Sequence, residues 1–143
     1  MTSTESLPIL HGQSEDEFDG KVSLSLGWMT HDAHYDFRNF RHKKNNLTGL
    51  LESLLTLFED LSSTDWKTIS RRDHRKDGYE ILPLSQMNQA IIDGIPEDFD
   101  MQVDAVLVFR FNKGEDRLIA IRLNFILYVL GFDFDFSLYH HGS

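Results

Sequence analysis

The chain has 143 residues, of which 41% are hydrophobic and 12% aromatic, a composition that fits one globular domain with a buried core. It contains no cysteine, which excludes disulfide bonds, thiolate nucleophiles and cysteine-ligated zinc. The formal net charge of −9 at pH 7, taken as a sum, argues against a nucleic-acid partner.

The first twenty residues are acidic and rich in turn-forming residues. They contain neither Lys nor Arg, and their acidic residues are Glu5, Glu15, Asp16, Glu17 and Asp19. Because such a segment has little apolar surface to bury, we predict a flexible acidic arm over residues 1–20 and one α+β domain over residues 21–143. Neither a secretory leader nor a stretch of ~20 apolar residues is found, so we expect a cytoplasmic protein with no membrane partner.

Three segments in the first half of the domain have regular hydrophobic patterns. Lys21–Met29 alternates apolar and small polar residues, which predicts a half-buried strand. Phe37–His42 predicts a helical turn. Leucines recur at helical spacing over Leu47–Leu61 and predict a helix with one wide apolar face.

The middle of the chain is less regular. Residues 62–70 predict a second short helical turn that carries Trp66 and Ile69, and a charged loop follows over residues 71–80. Ile81–Pro83 predicts a short extended piece. Leu84–Ile92 predicts a further helix, which ends before an Asp-Gly turn and a proline.

Three apolar, β-branched segments with tight breaks follow each other near the end of the chain. They predict strands over Val103–Asn112, Arg117–Asn124 and Phe125–Phe134. Such a meander must cover one face to be stable. We therefore predict an α+β fold with a mostly antiparallel sheet, formed by the N-terminal strand and the three-stranded meander and packed against helices on one face.

The last of these strands is too apolar to be left at an open sheet edge. Either the N-terminal strand covers it or a second copy of the chain does. The sequence leaves both answers open, and a homodimer is one of them.

Positive charge is concentrated in two short blocks and on the predicted sheet. The first block holds Arg38, Arg41, Lys43 and Lys44, and the second holds Lys67, Arg71, Arg72, Arg75 and Lys76. Each block alone is typical of a solvated helix end or loop. If the blocks converged with the sheet arginines, they would indicate a surface that binds an anion.

The strand register decides whether two of the sheet arginines act together. If Asn112 pairs with Arg117, then Arg110 and Arg122 lie on opposite faces of the sheet. A shift of one residue places Arg110 and Arg122 on the same face, and only that register forms a paired-arginine site. The sequence does not choose between these registers.

The order of the predicted elements, with arginines on the sheet and a tyrosine near the C-terminus, resembles the RelE/ParE-like superfamily of small bacterial toxins. The residues that carry the resemblance are VFRFNKGEDRLIAIRLNFILYVLGFDFDFSLY, residues 108–139. The chain departs from that family because it is acidic and has an extra region over Ser62–Met101. The resemblance implies a toxin of a toxin–antitoxin or phage-defence system that acts on RNA, either by cleavage without metal or other cofactor or by binding of an essential target.

The resemblance also implies a set of site residues. RNA cleavage requires a base for the 2′-hydroxyl, positive charge at the phosphorane and an acid for the leaving oxygen. The expected catalytic residues are Tyr139, His140 and Arg122. The expected RNA-binding residues are Arg71, Arg72, His74, Arg75 and Arg110.

Two other interpretations stay open. His31-Asp32-Ala33-His34 places metal-binding side chains close in sequence, although two histidines in a polar connector are more typical of solvent-facing residues. The second is a protein-binding module without enzymatic activity, antitoxin-like or an acidic inhibitor. It would present the acids of the arm and of residues 93–104 to a basic partner.

Overall fold

A computed structural model describes residues 21–73, 77–97, 99 and 104–137, and the side chains of all of these except residues 42–45. The predicted acidic arm lies outside the described residues. The domain is α+β, as predicted, and its described residues form one open five-stranded sheet and two α-helices.

The sheet is mixed but mostly antiparallel. Its strands are β1 (Ser23–Ser25), β2 (Tyr79–Pro83), β3 (Ala105–Phe111), β4 (Asp116–Leu123) and β5 (Ile126–Asp133). They are arranged in the order β1-β5-β4-β3-β2, and only the pair of β1 with β5 is parallel. The predicted meander therefore forms the centre of the sheet, with the N-terminal strand on one side and β2 on the other.

The α-helices are α1 (Leu47–Ser63) and the short α2 (Trp66–Ser70). The prediction of a helix over Leu47–Leu61 is confirmed. Helix α2 begins after Asp65, whose carboxylate accepts a hydrogen bond from the Thr68 backbone N–H at 2.8 Å and so caps the first turn. A 3₁₀ segment over Phe37–Asn46 leads into α1 and extends the turn that the sequence predicted at Phe37–His42.

The predicted helix over Leu84–Ile92 is wrong. Two short 3₁₀ segments, Leu84–Gln86 and Gln89–Ile92, occupy this region, and the two residues between them are extended. The Asn88 side chain accepts a hydrogen bond from the Ala90 backbone N–H at 3.0 Å, a local bond that competes with a continuous helix. The apolar residues of the region still face inward, because Leu84, Met87 and Ile91 are buried.

Side chains alternate along β3 and divide the core into two layers. Leu107 and Phe109 belong to a first cluster, to which α1 and α2 contribute buried residues. Val106 and Val108 belong to a second cluster on the opposite face, together with residues of the 3₁₀ segments and Tyr35. The sequence predicted helices over one face of the sheet, whereas the second face is also buried, beneath irregular segments.

The N-terminal segment covers the edge of β5. Strand β1 is shorter than the predicted Lys21–Met29, because the chain turns away after Ser25, whose hydroxyl accepts a hydrogen bond from the Gly27 N–H at 3.1 Å. Farther along, the Thr30 N–H donates to the Leu130 carbonyl and the Phe132 N–H donates to the Tyr35 carbonyl, both at 2.8 Å. The sequence left open whether the N-terminal strand or a second copy of the chain covers the edge of β5. In the structure the N-terminal segment of the same chain covers it.

Candidate functional site

The observed register separates the two sheet arginines of the predicted site. Arg110 pairs with Arg117 across β3 and β4, and Leu107 pairs with Ala120. By alternation Arg110 lies on the second face, whereas Arg122 lies on the first face with Ala120. The paired-arginine site of Arg110 with Arg122 is therefore not formed.

Arg122 is engaged in packing. Its guanidinium carbon lies 4.5 Å from the centre of the Trp66 ring, and its Nε donates to the Asn124 carbonyl at 2.7 Å. Trp66 in turn stacks on Tyr79, with 5.5 Å between ring centres. This layer holds α2 against the sheet and gives Arg122 a packing role, while its catalytic role stays a prediction.

Arginines of both basic blocks also have intramolecular partners. Arg38 pairs with Asp36 at 2.7 Å, and Arg72 forms two hydrogen bonds with Asp60, at 2.6 and 3.2 Å. The hydrogen bonds with Asp60 raise the pKa of Arg72, although burial acts against them. Arg71 is exposed. Four of the predicted site residues, His74, Arg75, Tyr139 and His140, lie outside the described residues.

A group of polar side chains that the sequence did not assemble lies where β5 ends. We call it the β5-end cluster, and it consists of His34, Tyr35, Asn88, Asp135 and Ser137. His34 Nε2 lies 2.9 Å from Asp135 Oδ2, and the Ser137 hydroxyl donates to Asp135 Oδ1 at 2.6 Å. The Tyr35 hydroxyl lies 2.9 Å from Ser137 Oγ and accepts a hydrogen bond from Asn88 Nδ2 at 3.3 Å. The five side chains form one hydrogen-bonded chain.

The loop after β1 places the histidine and the tyrosine of this cluster. The Asp32 carboxylate accepts a hydrogen bond from the His34 backbone N–H at 2.8 Å, and the Asp32 carbonyl accepts from the Tyr35 N–H at 3.0 Å. These bonds form the tight turn that an Asp commonly directs two residues ahead of itself. The bond between the Tyr35 carbonyl and the Phe132 N–H then ties the turn to β5.

Asp133 places the other half of the cluster. It is the last residue of β5 and is fully buried. Its Oδ1 accepts hydrogen bonds from the backbone N–H groups of Asp135 at 3.2 Å and of Ser137 at 3.1 Å. One buried carboxylate therefore shapes the turn that presents both Asp135 and Ser137.

Two arginines lie side by side next to this turn, on the second face of the sheet. Arg110 pairs with Arg117, and Arg117 pairs with Asp133, so the three residues form one row across β3, β4 and β5. Two positive charges directly opposite each other are unfavourable, and the acid in the same row offsets part of this repulsion. Arg117 is buried, whereas Arg110 is only partly buried and can contact a bound anion.

The pKa shifts in the cluster separate the roles of its acid and its phenol. Burial raises the pKa of Asp135, but the hydrogen bonds that its carboxylate accepts, among them those from Ser137 and His34, outweigh burial and lower that pKa below its ordinary value. Burial, with the nearby charges of Asp133, Asp135 and Asp32, raises the pKa of Tyr35, against a smaller opposite effect of the Ser137 hydrogen bond. At neutral pH Asp135 is ionised and Tyr35 keeps its proton.

The ionised acid determines what the imidazole can do. Because an ionised carboxylate only accepts hydrogen bonds, the hydrogen of neutral His34 lies on Nε2 and Nδ1 has the free electron pair. The side chains of His34 and Asp135 are 49% and 51% exposed, so the pair can be reached from solvent. A carboxylate that orients an accessible imidazole is an arrangement suited to general base catalysis.

The alternative of a metal site at His31–His34 does not assemble in the described part of the chain. No group of three or more His, Asp or Glu side chains there has the geometry to hold a metal ion. His31 is held by its backbone N–H, which donates to Asp93 Oδ1 at 3.0 Å, and His34 pairs with Asp135 instead.

In the described part of the chain, no helix is both long enough and apolar enough to span a bilayer.

Sequence reasoning considered His34 only as a metal ligand. The available signal was two acids at the end of an apolar strand, Asp133 and Asp135. The histidine that completes the pair is 101 positions away, and it arrives there only because β1 pairs in parallel with β5.

Comparison of the chain with protein-family models, with curated protein sequences and with solved structures finds no match. The RelE/ParE-like resemblance therefore stays an interpretation of the residues and of their order, and the function is argued from the site alone.

Proposed function

We propose that the protein is a toxin-like ribonuclease that cleaves RNA without a metal ion and that the β5-end cluster is its active site. The observation that carries the proposal is the accessible hydrogen bond between His34 and Asp135. Arg110 and Arg117 add positive charge on the adjoining strands, which a phosphodiester substrate requires.

The proposed reaction is attack of a 2′-hydroxyl on the adjacent phosphorus. His34 Nδ1 takes the proton of the hydroxyl, and Asp135 stabilises the imidazolium that forms. Arg110 contacts the phosphate and stabilises the charge of the phosphorane. The new bond joins the 2′-oxygen to phosphorus, and the bond to the 5′-oxygen breaks.

The leaving 5′-oxygen needs a proton. We propose that Tyr139 or His140 supplies it, as the sequence predicted, because both closely follow Ser137 in the chain. Tyr35 is not a candidate for this step, because it is buried and bonded to Ser137 and Asn88. Its proposed role is to position Ser137, which in turn holds Asp135.

The test compares two histidines of one loop. His34→Gln removes the proposed base, and His31→Gln is the matched control, since His31 is exposed and bonded through its backbone alone. With single-stranded RNA and a chelator at low salt, we expect His34→Gln to cleave about 10²–10⁴-fold more slowly than wild type, as for loss of a general base. We expect His31→Gln to cleave at the rate of wild type.

Two results would contradict the proposal. One is that the folded wild-type protein neither binds nor cleaves RNA at low salt, which removes the nuclease altogether. The other is cleavage at equal rates by both variants, which places the reaction elsewhere on the molecule.

A second candidate function is a protein-binding module, and the surface of α1 supports it. Leu50, Leu54 and Leu61 are buried, whereas Leu47, Leu51 and Leu55 form an exposed stripe at spacings of four residues along the helix. Such a stripe fits an apolar groove of a partner protein. If Leu51→Lys abolishes growth arrest in a bacterial host but leaves RNA cleavage unchanged, the stripe and not the β5-end cluster is the functional surface.

A further inference from the structure

Phe136 has a backbone conformation that is unusual for its residue type. Its φ is 61°, in the left-handed region, where a bulky side chain is strained. In the described part of the chain the other non-glycine residues with positive φ are Asn112, Lys113 and Asn124, and all three lie in the hairpin turns between β3, β4 and β5. Hairpin turns require that conformation, whereas the chain at Phe136 has already left the sheet.

The ring is only partly buried. The Phe136 residue is 48% exposed, although it lies between Asp135 and Ser137 of the β5-end cluster. Its conformation is held by Asp133, which accepts hydrogen bonds from the N–H groups of the residues on either side. A strained conformation that the surrounding bonds impose, and that exposes an aromatic ring beside a candidate site, indicates a functional use of that ring.

The surroundings of the ring are charged. The guanidinium carbon of Arg117 lies 4.9 Å from the centre of the Phe136 ring, and the ionised Asp135 precedes it in the chain. An apolar protein surface would have to desolvate both charges in order to cover one ring. A nucleobase stacks on the ring with its flat face and leaves its polar edge and its phosphate to the charged groups.

We propose that Phe136 is a stacking platform for one unpaired base of single-stranded RNA, next to the phosphate that is cleaved. The inference rests on the proposed ribonuclease function and specifies its substrate. Phe136 directly follows Asp135, which pairs with His34, so the platform adjoins the proposed catalytic pair in the chain. Bases in a duplex are stacked on each other and cannot use the platform, so the substrate is single-stranded.

The test measures binding of a short fluorescent single-stranded RNA in which every ribose carries a 2′-O-methyl group, so that no 2′-hydroxyl can attack and cleavage is blocked. Phe136→Asn tolerates the left-handed conformation but has no ring, and Phe136→Trp keeps a ring. We expect Phe136→Asn to weaken RNA binding about 5–150-fold, the equivalent of one lost base stack. We expect Phe136→Trp to bind RNA as tightly as wild type does. Phe37→Leu is the control at another exposed phenylalanine, one that packs on Phe40 and Phe132, and we expect it to bind unchanged.

Abasic substitutions in the RNA provide an independent measurement with the unaltered protein. One abasic position should weaken binding to wild type by the same factor as Phe136→Asn, and the same position should cost nothing further with that variant. If no abasic position weakens binding while wild type still binds RNA, the platform is overturned and the ribonuclease proposal stands. If wild type binds neither single-stranded nor duplex RNA, both proposals fall.

The thermal stability of Phe136→Asn separates a functional ring from a structural one. Because Asn adopts positive φ readily, its melting temperature should equal or exceed that of wild type. A marked fall in melting temperature, with abasic RNA bound as tightly as intact RNA, would show that the ring serves packing and would overturn the proposal.

Discussion

The two faces of the sheet differ in how they are covered and in what their polar groups do. The first face lies under α1 and α2, and its one strand arginine, Arg122, is packed against Trp66. The second face lies under a loop and two 3₁₀ segments, and it ends in a row of Arg110, Arg117 and Asp133 beside the β5-end cluster. Helices cover the face whose strand arginine is packed against an aromatic ring, and irregular segments cover the face that ends in the polar cluster.

This difference has a physical reason. A helix presents side chains at fixed spacing and buries them uniformly, so it leaves few places for a polar group. In a loop, side chains can accept the hydrogen bonds of backbone N–H groups, as those of Asp32 and Asp133 do. A loop can therefore hold an acid, an imidazole and a phenol within hydrogen-bonding distance of each other. We therefore expect substitutions on the first face to change stability alone and substitutions on the second face to change stability and activity together.

The largest expected effect on stability is on the first face. Leu54 in α1 is 3% exposed, and Leu54→Ala should lower the free energy of unfolding by about 2–5 kcal/mol, because it removes buried methyl groups and leaves a cavity. Its neighbour Leu55 is 59% exposed, so Leu55→Ala should change the free energy by less than about 0.5 kcal/mol. Urea denaturation of both variants checks this, and equal effects would show that α1 does not cover the core as described.

A smaller effect is expected at Gly131 on the second face. A Cβ at this position would lie 2.8 Å from the Tyr35 carbonyl oxygen and would also meet the Ile91 side chain. Gly131→Ala should therefore cost about 1–3 kcal/mol and move Tyr35 away from Ser137. Denaturation together with an RNA-cleavage assay measures both consequences. Unchanged RNA cleavage by a destabilised Gly131→Ala variant would show that packing on the second face does not affect the candidate site.

Asp133 should show the same double effect. Asp133→Ala leaves the N–H groups of Asp135 and Ser137 without their acceptor, a loss of about 1–3 kcal/mol for buried polar groups. Because the turn then no longer presents Asp135 to His34, cleavage should fall as well. Asp104→Ala is a matched control at an exposed acid, and we expect little change in either quantity.

The smallest expected effect is on the acid dependence of stability. The pKa of Asp135 in the folded protein lies below its ordinary value of 3.8, so the unfolded chain binds the proton more tightly. The stabilisation is therefore present above pH 3.8 and is lost as the pH falls through the folded value. Asp135→Asn should lose less melting temperature than wild type between about pH 5 and about pH 3. Identical pH profiles would show that the hydrogen bonds and the charge that lower the pKa of Asp135 contribute nothing to stability.

The sequence predicted the regular parts of the molecule well. The spacing of leucines located α1, and three apolar segments located β3, β4 and β5, because these patterns depend on local periodicity. The prediction from helix start and stop signals failed at Leu84–Ile92, where the buried residues lie on two 3₁₀ segments and on the extended residues between them. Periodicity reports which residues are buried, and it does not report the hydrogen bonds that the backbone forms.

The candidate site could not be predicted from local sequence patterns, because it depends on how distant strands pair. The pairing of Arg110 with Arg117 depends on a register that the sequence left open, and the pairing of His34 with Asp135 depends on a parallel contact between distant strands. The arginines that composition made conspicuous, Arg72 and Arg122, are engaged by Asp60 and Trp66. Charge counted along the chain did not distinguish a structural ion pair from a binding group.

Contact between RNA and the β5-end cluster can be mapped directly by the changes in NMR chemical shifts that RNA binding causes. Isotope-labelled protein is titrated with a single-stranded RNA whose riboses all carry a 2′-O-methyl group, so that it cannot be cleaved. We expect the signals of the His34 imidazole and of the Asp135 and Ser137 backbone amides to shift. The backbone amide signals of Leu51 and Leu55 on α1 should not shift. Shifts confined to α1 or to the segment around Arg71, with the His34 signals unchanged, would contradict contact at the β5-end cluster.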